Sequence, residues 1–415
     1  MGGDSAFAER STEAFLFVEV LKALYIFTMR KIYLDHTATT PLDPAVFDAM
    51  KPYFLDKFGN ASSIHTYGQE AKAALDESRE KIANLIGGSA GEIIFVGGGT
   101  ESDNFALKGT AWEAQKVRKN HIITSKVEHH AILDTCEFLE EHGFKISYID
   151  VDQFGMVDPD DIKKNITSET CLISIIHANN EIGTINPIAD IEQIANEHEI
   201  TFHSDSVQSF GKLPVNVNEL GIDMLSLSAH KIYGPKGIGA IYIRKGMKIE
   251  KFIHGGGQER GRRAGTENVP LAVGFAKAAE LVNESREKEQ KRLGDLKIKF
   301  RKMLEERFPS ILFNGHPTES LSHILNISFD SEKIVIDGES LLFNLDLAGV
   351  AVTSGSACTS GNMEPSHVLM AMGRSPKTAR ATIRFSMGKS TTSGDIDNTV
   401  GVLEEVVQRI AKVLV

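Results

Sequence analysis

The stretch CLISIIHANNEIGTINPIADIEQIANEHEITFHSD, residues 171–205, sets two short apolar runs, Cys171–Ile176 and Thr201–His203, around an amphipathic segment, Ile188–His198. Brief runs rich in Ile and Phe suit a strand buried on both faces, and the 3.6-residue pattern between them suits a helix. Strand, helix, strand is the unit of a parallel crossover. The same texture extends outward on both sides. Glu92–Val96, His121–Thr124 and Lys145–Ile149 precede this stretch, with a helical pattern at Ala131–His142. Met224–Leu227 and Ala240–Arg244 follow it. The pattern predicts an α/β fold around a seven-stranded, mostly parallel sheet. Ala229–Gly239 is too short for a helical crossover, so the seventh strand is expected to run antiparallel. A helix is expected over Gln69–Ile86, with Ala73, Leu75, Ile82, Leu85 and Ile86 near one face and Gly87-Gly88 as its stop. After Asn268 a long helical region, Leu271–Arg307, leads into a smaller α/β domain.

The chain has 415 residues, enough for a large domain with a smaller one. It carries 45 Lys+Arg against 56 Asp+Glu, a net charge of −11, which argues against a nucleic-acid surface. Cys136, Cys171 and Cys358 are too far apart for a zinc CxxC pair or a disulfide framework. Free thiols suit a reducing compartment, so the expected location is cytoplasmic. The longest apolar stretch, Ala14–Phe27, is broken by Glu19 and Lys22 and falls short of the roughly 20 residues a membrane span needs. Glu9 and Glu13 precede it and no small-residue cleavage site follows, so it does not read as a signal peptide either. Residues 1–28 read as an extension, with Met29 as the expected native start. The division expected is a segment 29–44 packing with the small domain, a large domain 45–284, and a small domain 285–415.

Several residues could carry chemistry. Lys231 in Ser228-Ala229-His230-Lys231 follows a buried strand, where a desolvated amine becomes nucleophilic and can form a Schiff base. A solvated loop lysine is the bland alternative. Asp205 ends another strand on the side where parallel sheets bind ligands, and could hold a pyridinium nitrogen, with Gln208 three residues on. A helix N-cap is the commoner role for such an aspartate. Gly97-Gly98-Gly99-Thr100 precedes a helical segment and, with Ser228 and His230, could form a phosphate cup, although a plain glycine turn fits as well. His129, in Glu128-His129-His130, could stack on an aromatic cofactor or be an ordinary hydrogen-bonded loop histidine; metal spacing around the pair is lacking. Cys358 lies inside the small-residue run 353–361, where a thiol is exposed and open to activation, or merely incidental. Arg384 suits a carboxylate fork or a surface salt bridge.

Together these residues resemble the cysteine desulfurases of the NifS/IscS type, in the class V aminotransferase group of fold-type-I pyridoxal-phosphate (PLP) enzymes. The resemblance rests on YLDHTATTP (33–41), FGNASSIH (58–65), GGTESDN (98–104), HIITSKVEHHAILDTC (121–136), HANNEIGT (177–184), HSDSVQS (203–209), LSAHKIYGPKG (227–237), GGGQERGRRAGTEN (255–268), SGSACTSG (354–361), EPSHVL (364–369) and IRFSMG (383–388). It implies that Lys231 holds PLP covalently, that Asp205 pairs with its ring nitrogen, and that Gln208 bonds the phenolic oxygen under a stacked His129. Gly99, Thr100, Ser228 and His230 would bind the phosphate, joined by Thr266 of a neighbouring subunit in a homodimer. Asn180 would contact cofactor and substrate, and Arg384 would hold the α-carboxylate of L-cysteine. Cys358 would take the substrate sulfur as a persulfide, release alanine, and pass sulfur to an iron–sulfur scaffold protein of the IscU type.

Gly97-Gly98-Gly99 replaces a commoner Ser-Gly-Ala, and His36 stands where Tyr is frequent. SGNMEPSH agrees with the long-loop subgroup serving general iron–sulfur assembly, and 1–28 has no counterpart. The alternatives are a selenocysteine lyase or another class V aminotransferase, and a non-enzymatic scaffold partner using Cys358 as a bridging cluster ligand. The Cys358 run argues against a plain aminotransferase, and the presence of Lys231 against the scaffold.

Overall fold

The structure, a computed structural model, describes residues 31–355 and 364–411. The expectations for 1–28 and for Cys358 lie outside them. Among the described residues twelve strands are present: β1 (Ile32–Tyr33), β2 (Ile93–Val96), β3 (His121–Ser125), β4 (Lys145–Ile149), β5 (Thr170–Ser174), β6 (Thr201–Asp205), β7 (Met224–Ser228), β8 (Gly239–Ile243), β9 (Ile311–Asn314), β10 (Ile324–Phe329), β11 (Val350–Ala351) and β12 (Thr382–Ser386). Seven of them form one sheet in the order β2-β8-β7-β6-β5-β3-β4. Its pairs are parallel except those of β8, which runs antiparallel to both β2 and β7. The seven runs and the reversed seventh strand are therefore those the sequence predicts.

The strands read as continuous apolar runs because both faces of the sheet are covered. Ile93, Phe95, Ile123, Ile173, Phe202, Leu225 and Leu227 enter one core. Their neighbours Ile94, Val96, Ile122, Leu172 and Met224 enter another. This is the two-residue alternation of a strand, with apolar partners above and below. Helix Thr66–Leu85 packs on the first core together with helix Val269–Arg307. Ala73 is exposed, contrary to expectation, and Arg79 is buried in its place.

A three-stranded antiparallel sheet, β12-β10-β9, has its own core, which also takes in Ile32 and Leu34. β1 pairs in parallel with β11, and the Leu34 carbonyl accepts from the Ser386 amide. The chain then crosses to the large sheet. The Thr40 hydroxyl donates to the His230 carbonyl at 2.9 Å and accepts from the Tyr233 amide at 2.7 Å. Residues 32–40 thus join the small sheet to the turn that carries Lys231.

The loop 254–266 is anchored by charge. Arg79 donates to both oxygens of Glu259, at 2.6 and 2.9 Å, and the Phe95 amide donates to one of them. Both side chains are buried, at 4% and 3% exposure. Glu259 and Arg260 hold left-handed φ of 44° and 57°, strained for non-glycine residues, and the ion pair keeps them there. Arg79→Met leaves the Glu259 charge buried without its partner, so a loss of about 3–5 kcal/mol is expected in urea unfolding. The double variant Arg79→Met/Glu259→Gln should recover part of that loss.

Candidate active site

The parallel strands end on one side of the large sheet, and the polar residues after them converge there. β2 leads into Gly97–Gly99, β3 into His129, β5 into Ile176 and Asn180, β6 ends on Asp205, and β7 ends on Ser228. A cavity of about 340 Å³ opens among them. Gly99, Thr100, His129, Asn180, Asp205, Gln208, Ser228, His230, Lys231 and Arg384 all line it. Of the residues singled out from sequence, Thr266 does not line it and is exposed on its loop, and Cys358 falls outside the described residues. Gly355, at the edge of the run that carries Cys358, reaches the cavity wall.

Lys231 ends a single helical turn, Ala229–Lys231, directly after β7. Its Nζ donates to the carbonyls of Thr37 at 2.5 Å and Ala38 at 2.8 Å. Burial, helped by the positive charge of Arg384, brings its pKa down to about 8, against the opposing pull of Asp205 and Asp35. Asp205 is buried, and burial raises its pKa to about 6 despite a 2.9 Å bond from the Val207 amide and the nearby Lys231 charge. No helix follows Asp205, so it is not an N-cap.

His129 is the N-cap of helix His130–Glu141. Its Nδ1 accepts from the Ala131 amide at 3.0 Å, which puts the ring proton on Nε2. Burial and the Lys231 charge push its pKa down to about 4, so the ring is neutral at pH 7. The neighbouring His130 instead pairs with Asp134 at 3.1 Å on the exposed side, so the two histidines do not form a common site.

Arg384 sits on the buried strand β12 rather than on a polar face. It donates to Asp35 at 3.0 Å and to the Asn180 carbonyl at 2.8 Å, and its Nε is buried without a partner. Asn180 meets Arg384 through its main chain. Gln208 donates from Nε2 to the Thr37 carbonyl at 3.0 Å while its Oε1 has no partner.

Sequence reasoning passed over four neighbours of the cavity. Thr37 and Ala38 line it and supply the carbonyls that grip Lys231. Asp35 orients Arg384. Asp103 lies one turn into helix Gly99–Gln115 and lines the cavity, its Oδ1 without a hydrogen bond and 3.8 Å from His203 Nε2. Burial raises its pKa well above the usual carboxylate range, with the Asp205 charge adding to the shift. The i, i+4 spacing from Gly99 is the signal that places Asp103 on the cavity face. Glu128, next to His129, is fully buried and structural: its Oε1 accepts from Ser125 Oγ at 2.6 Å and from the Ile176 amide at 2.9 Å.

The polar groups around the cavity fit PLP. Ser228 Oγ, Gln208 Oε1 and Arg384 Nε are buried and unpartnered around one cavity, as polar groups awaiting a ligand are. A Cβ on Gly99 would stand 2.8 Å from a Val207 methyl, so a larger residue there would require Val207 to shift.

The family model for aminotransferase class V matches residues 32–399. The chain belongs to the class V aminotransferases. As a member it is a PLP-dependent enzyme. A curated relative named cysteine desulfurase IscS, from Dictyoglomus turgidum, is 52% identical over 92% of this chain and 95% of its own length. A solved structure described as a NifS-like protein superposes with a TM-score of 0.85, 38% identity, and coverage of 92% of this chain and 100% of its own. Another, described as SspA in complex with cysteine, has a TM-score of 0.75 and 38% identity, covering 86% of this chain and 99% of its own.

An amine attacks a carbonyl only when unprotonated, and a cofactor carried by Lys231 would need that form. PLP uptake by the cofactor-free protein should therefore speed up about tenfold per pH unit below 8 and level off above it. Stopped-flow absorbance checks this.

Proposed function

We propose that this chain is a PLP-dependent cysteine desulfurase, converting L-cysteine to L-alanine and storing the sulfur as a persulfide on Cys358. The observation that carries this reading is the cavity in which a desolvated Lys231, Asp205 and a buried Arg384 converge beside Gly355, three residues before Cys358. The relatives named cysteine desulfurase and the neighbour described in complex with cysteine support it.

Bound PLP supplies an electrophilic carbon and a sink for the negative charge that develops at the substrate Cα. The chain does the rest. Asp205 keeps a proton on the ring nitrogen through its negative charge. Gly99, Thr100, Ser228 and His230 take the phosphate, the glycine by close approach and the others by hydrogen bonds. The free edge of Arg384 binds the substrate α-carboxylate, and Asp35 with the Asn180 carbonyl fixes the guanidinium plane. The neutral ring of His129 presents Nε2–H toward cofactor and substrate. Lys231, once displaced by the substrate amine, takes the α-proton. The Cys358 thiolate attacks the substrate sulfur: the Cys358 S–S bond forms as the substrate Cβ–S bond breaks, Cβ gains a proton, and Lys231 returns the α-proton to Cα to complete alanine. No external oxidant is needed.

The acceptor of the persulfide is an iron–sulfur scaffold protein of the IscU type, and the working form is a homodimer in the cytoplasm. Phe54, Leu55, Phe58, Ile64 and Tyr67 stand exposed along one stretch of chain, Ile64 at 91%, and an apolar patch of this kind marks an interaction face. Thr266, exposed away from its own cavity, is free to serve a partner's. Cys136 and Cys171 are buried free thiols, in keeping with a reducing compartment.

Wild type should release alanine from L-cysteine in the presence of a reductant. Cys358→Ala should lose that activity yet keep the absorbance of bound PLP, and a colourless Cys358→Ala would refute the division of labour. Ile64→Asp should shift the protein from dimer to monomer in sedimentation and loosen PLP. A monomeric wild type would overturn the homodimer.

A further inference from the structure

Behind the Lys231 turn lies a second, smaller cavity of about 40 Å³, and Lys231 borders both. Residues 36–40 form the wall between them: Thr37 and Ala38 face the larger cavity, His36 and Thr40 the smaller. Lys212 lies in this rear compartment, and its Nζ donates to the main-chain carbonyl of Lys231 at 3.0 Å. The amine at the end of Lys231 is gripped from the front by two carbonyls, and its backbone is gripped from the rear by a second amine.

The compartment is lined mostly by apolar groups, yet two imidazoles face it. His36 and His323 are 4% and 2% exposed, and none of their four ring nitrogens has a protein partner. A buried imidazole left without hydrogen bonds is costly, and the compartment, at about 40 Å³, has room for water beside these nitrogens. Gly388 lies so close to the His36 ring that any side chain there would overlap it, which holds the ring against the compartment. Burial keeps both imidazoles neutral at pH 7.

The other charged groups around Lys212 are engaged elsewhere. Glu289 pairs with Arg292 at 2.8 Å, Lys389 with Asp43 at 3.1 Å, and Arg286 bonds Asn283. The Tyr233 hydroxyl accepts from the Lys389 amide. Among the described residues no carboxylate stands within ion-pair distance of Lys212. Burial and the Lys231 charge bring the Lys212 pKa down to about 7, so the two amines resist carrying charge together.

We propose that Lys212 is a positioning residue for Lys231: from the rear compartment it pins the Lys231 backbone and sets an unpaired cation behind the Lys231 turn. This rests on the PLP reading above. Lys231 must leave and regain one place in each turnover, and a pinned carbonyl fixes the arc through which its side chain swings. Whenever the Lys231 nitrogen is uncharged, Lys212 can hold the proton, and its repulsion then opposes protonation next door.

The test is a pH titration of the absorbance of bound PLP in the holoenzyme, for wild type, Lys212→Met and Lys212→Arg. Removing the cation should raise the midpoint by about 0.5–1 pH unit in Lys212→Met. Its kcat should fall with KM for L-cysteine little changed, while Lys212→Arg returns the midpoint toward wild type. Coincident midpoints for wild type and Lys212→Met would overturn the proposal. So would an arginine variant that shifts as far as the methionine one, because packing rather than charge would then be at work. If Lys212→Met does not fold, Lys212→Gln is read in the same way. A colourless wild type would overturn the PLP reading and this inference with it.

Discussion

An amine has to be kept partly out of water without being neutralised, and the structure around Lys231 answers that demand. A carboxylate in direct contact would hold the proton on Nζ. Two main-chain carbonyls, those of Thr37 and Ala38, hold it in place with partial charges only. Asp205 acts on it through space from the end of β6, opposed by Arg384. The balance leaves the lysine nucleophilic near neutral pH, which an exposed lysine is not.

Those carbonyls come from a segment that belongs to neither sheet. Residues 32–40 start beside β11, touch β12 at Ser386, and end on the His230 carbonyl. The path explains how Arg384, on the small sheet, meets Asp35 and comes within the field of Lys231. The Arg384 guanidinium and the Lys231 amine are thereby tied to one short strap. The buried Arg79–Glu259 pair does comparable work on the far loop, holding a strained backbone whose exposed end carries Thr266.

The fold was legible because its signals are local. Strands covered on both faces must be short and apolar throughout, and 171–205 alone spells out a parallel unit. The helix face at Thr66–Leu85 was less legible. Arg79 is buried there because Glu259, 180 residues away, neutralises it, and no window of sequence contains both. Arg384 is a similar case: a strand arginine reads as a surface group until Asp35 and the Asn180 carbonyl are brought to it. Asp103 stood inside a quoted motif without a role, because only its position one turn beyond Gly99 aims it at the cavity.

By itself the sequence determined which groups are available, namely a lysine, an aspartate and a glycine loop at strand ends and a cysteine among small residues, and the sheet that would bear them. It did so because strand periodicity and strand-end position depend on neighbours a few residues apart. The tertiary structure alone decided the state of those groups. The basicity of Lys231, the buried setting of Arg384, and the rear compartment that Lys212 shares with His36 and His323 arise from contacts between distant segments. Desolvation and charge act through space, and the sequence records only order along the chain.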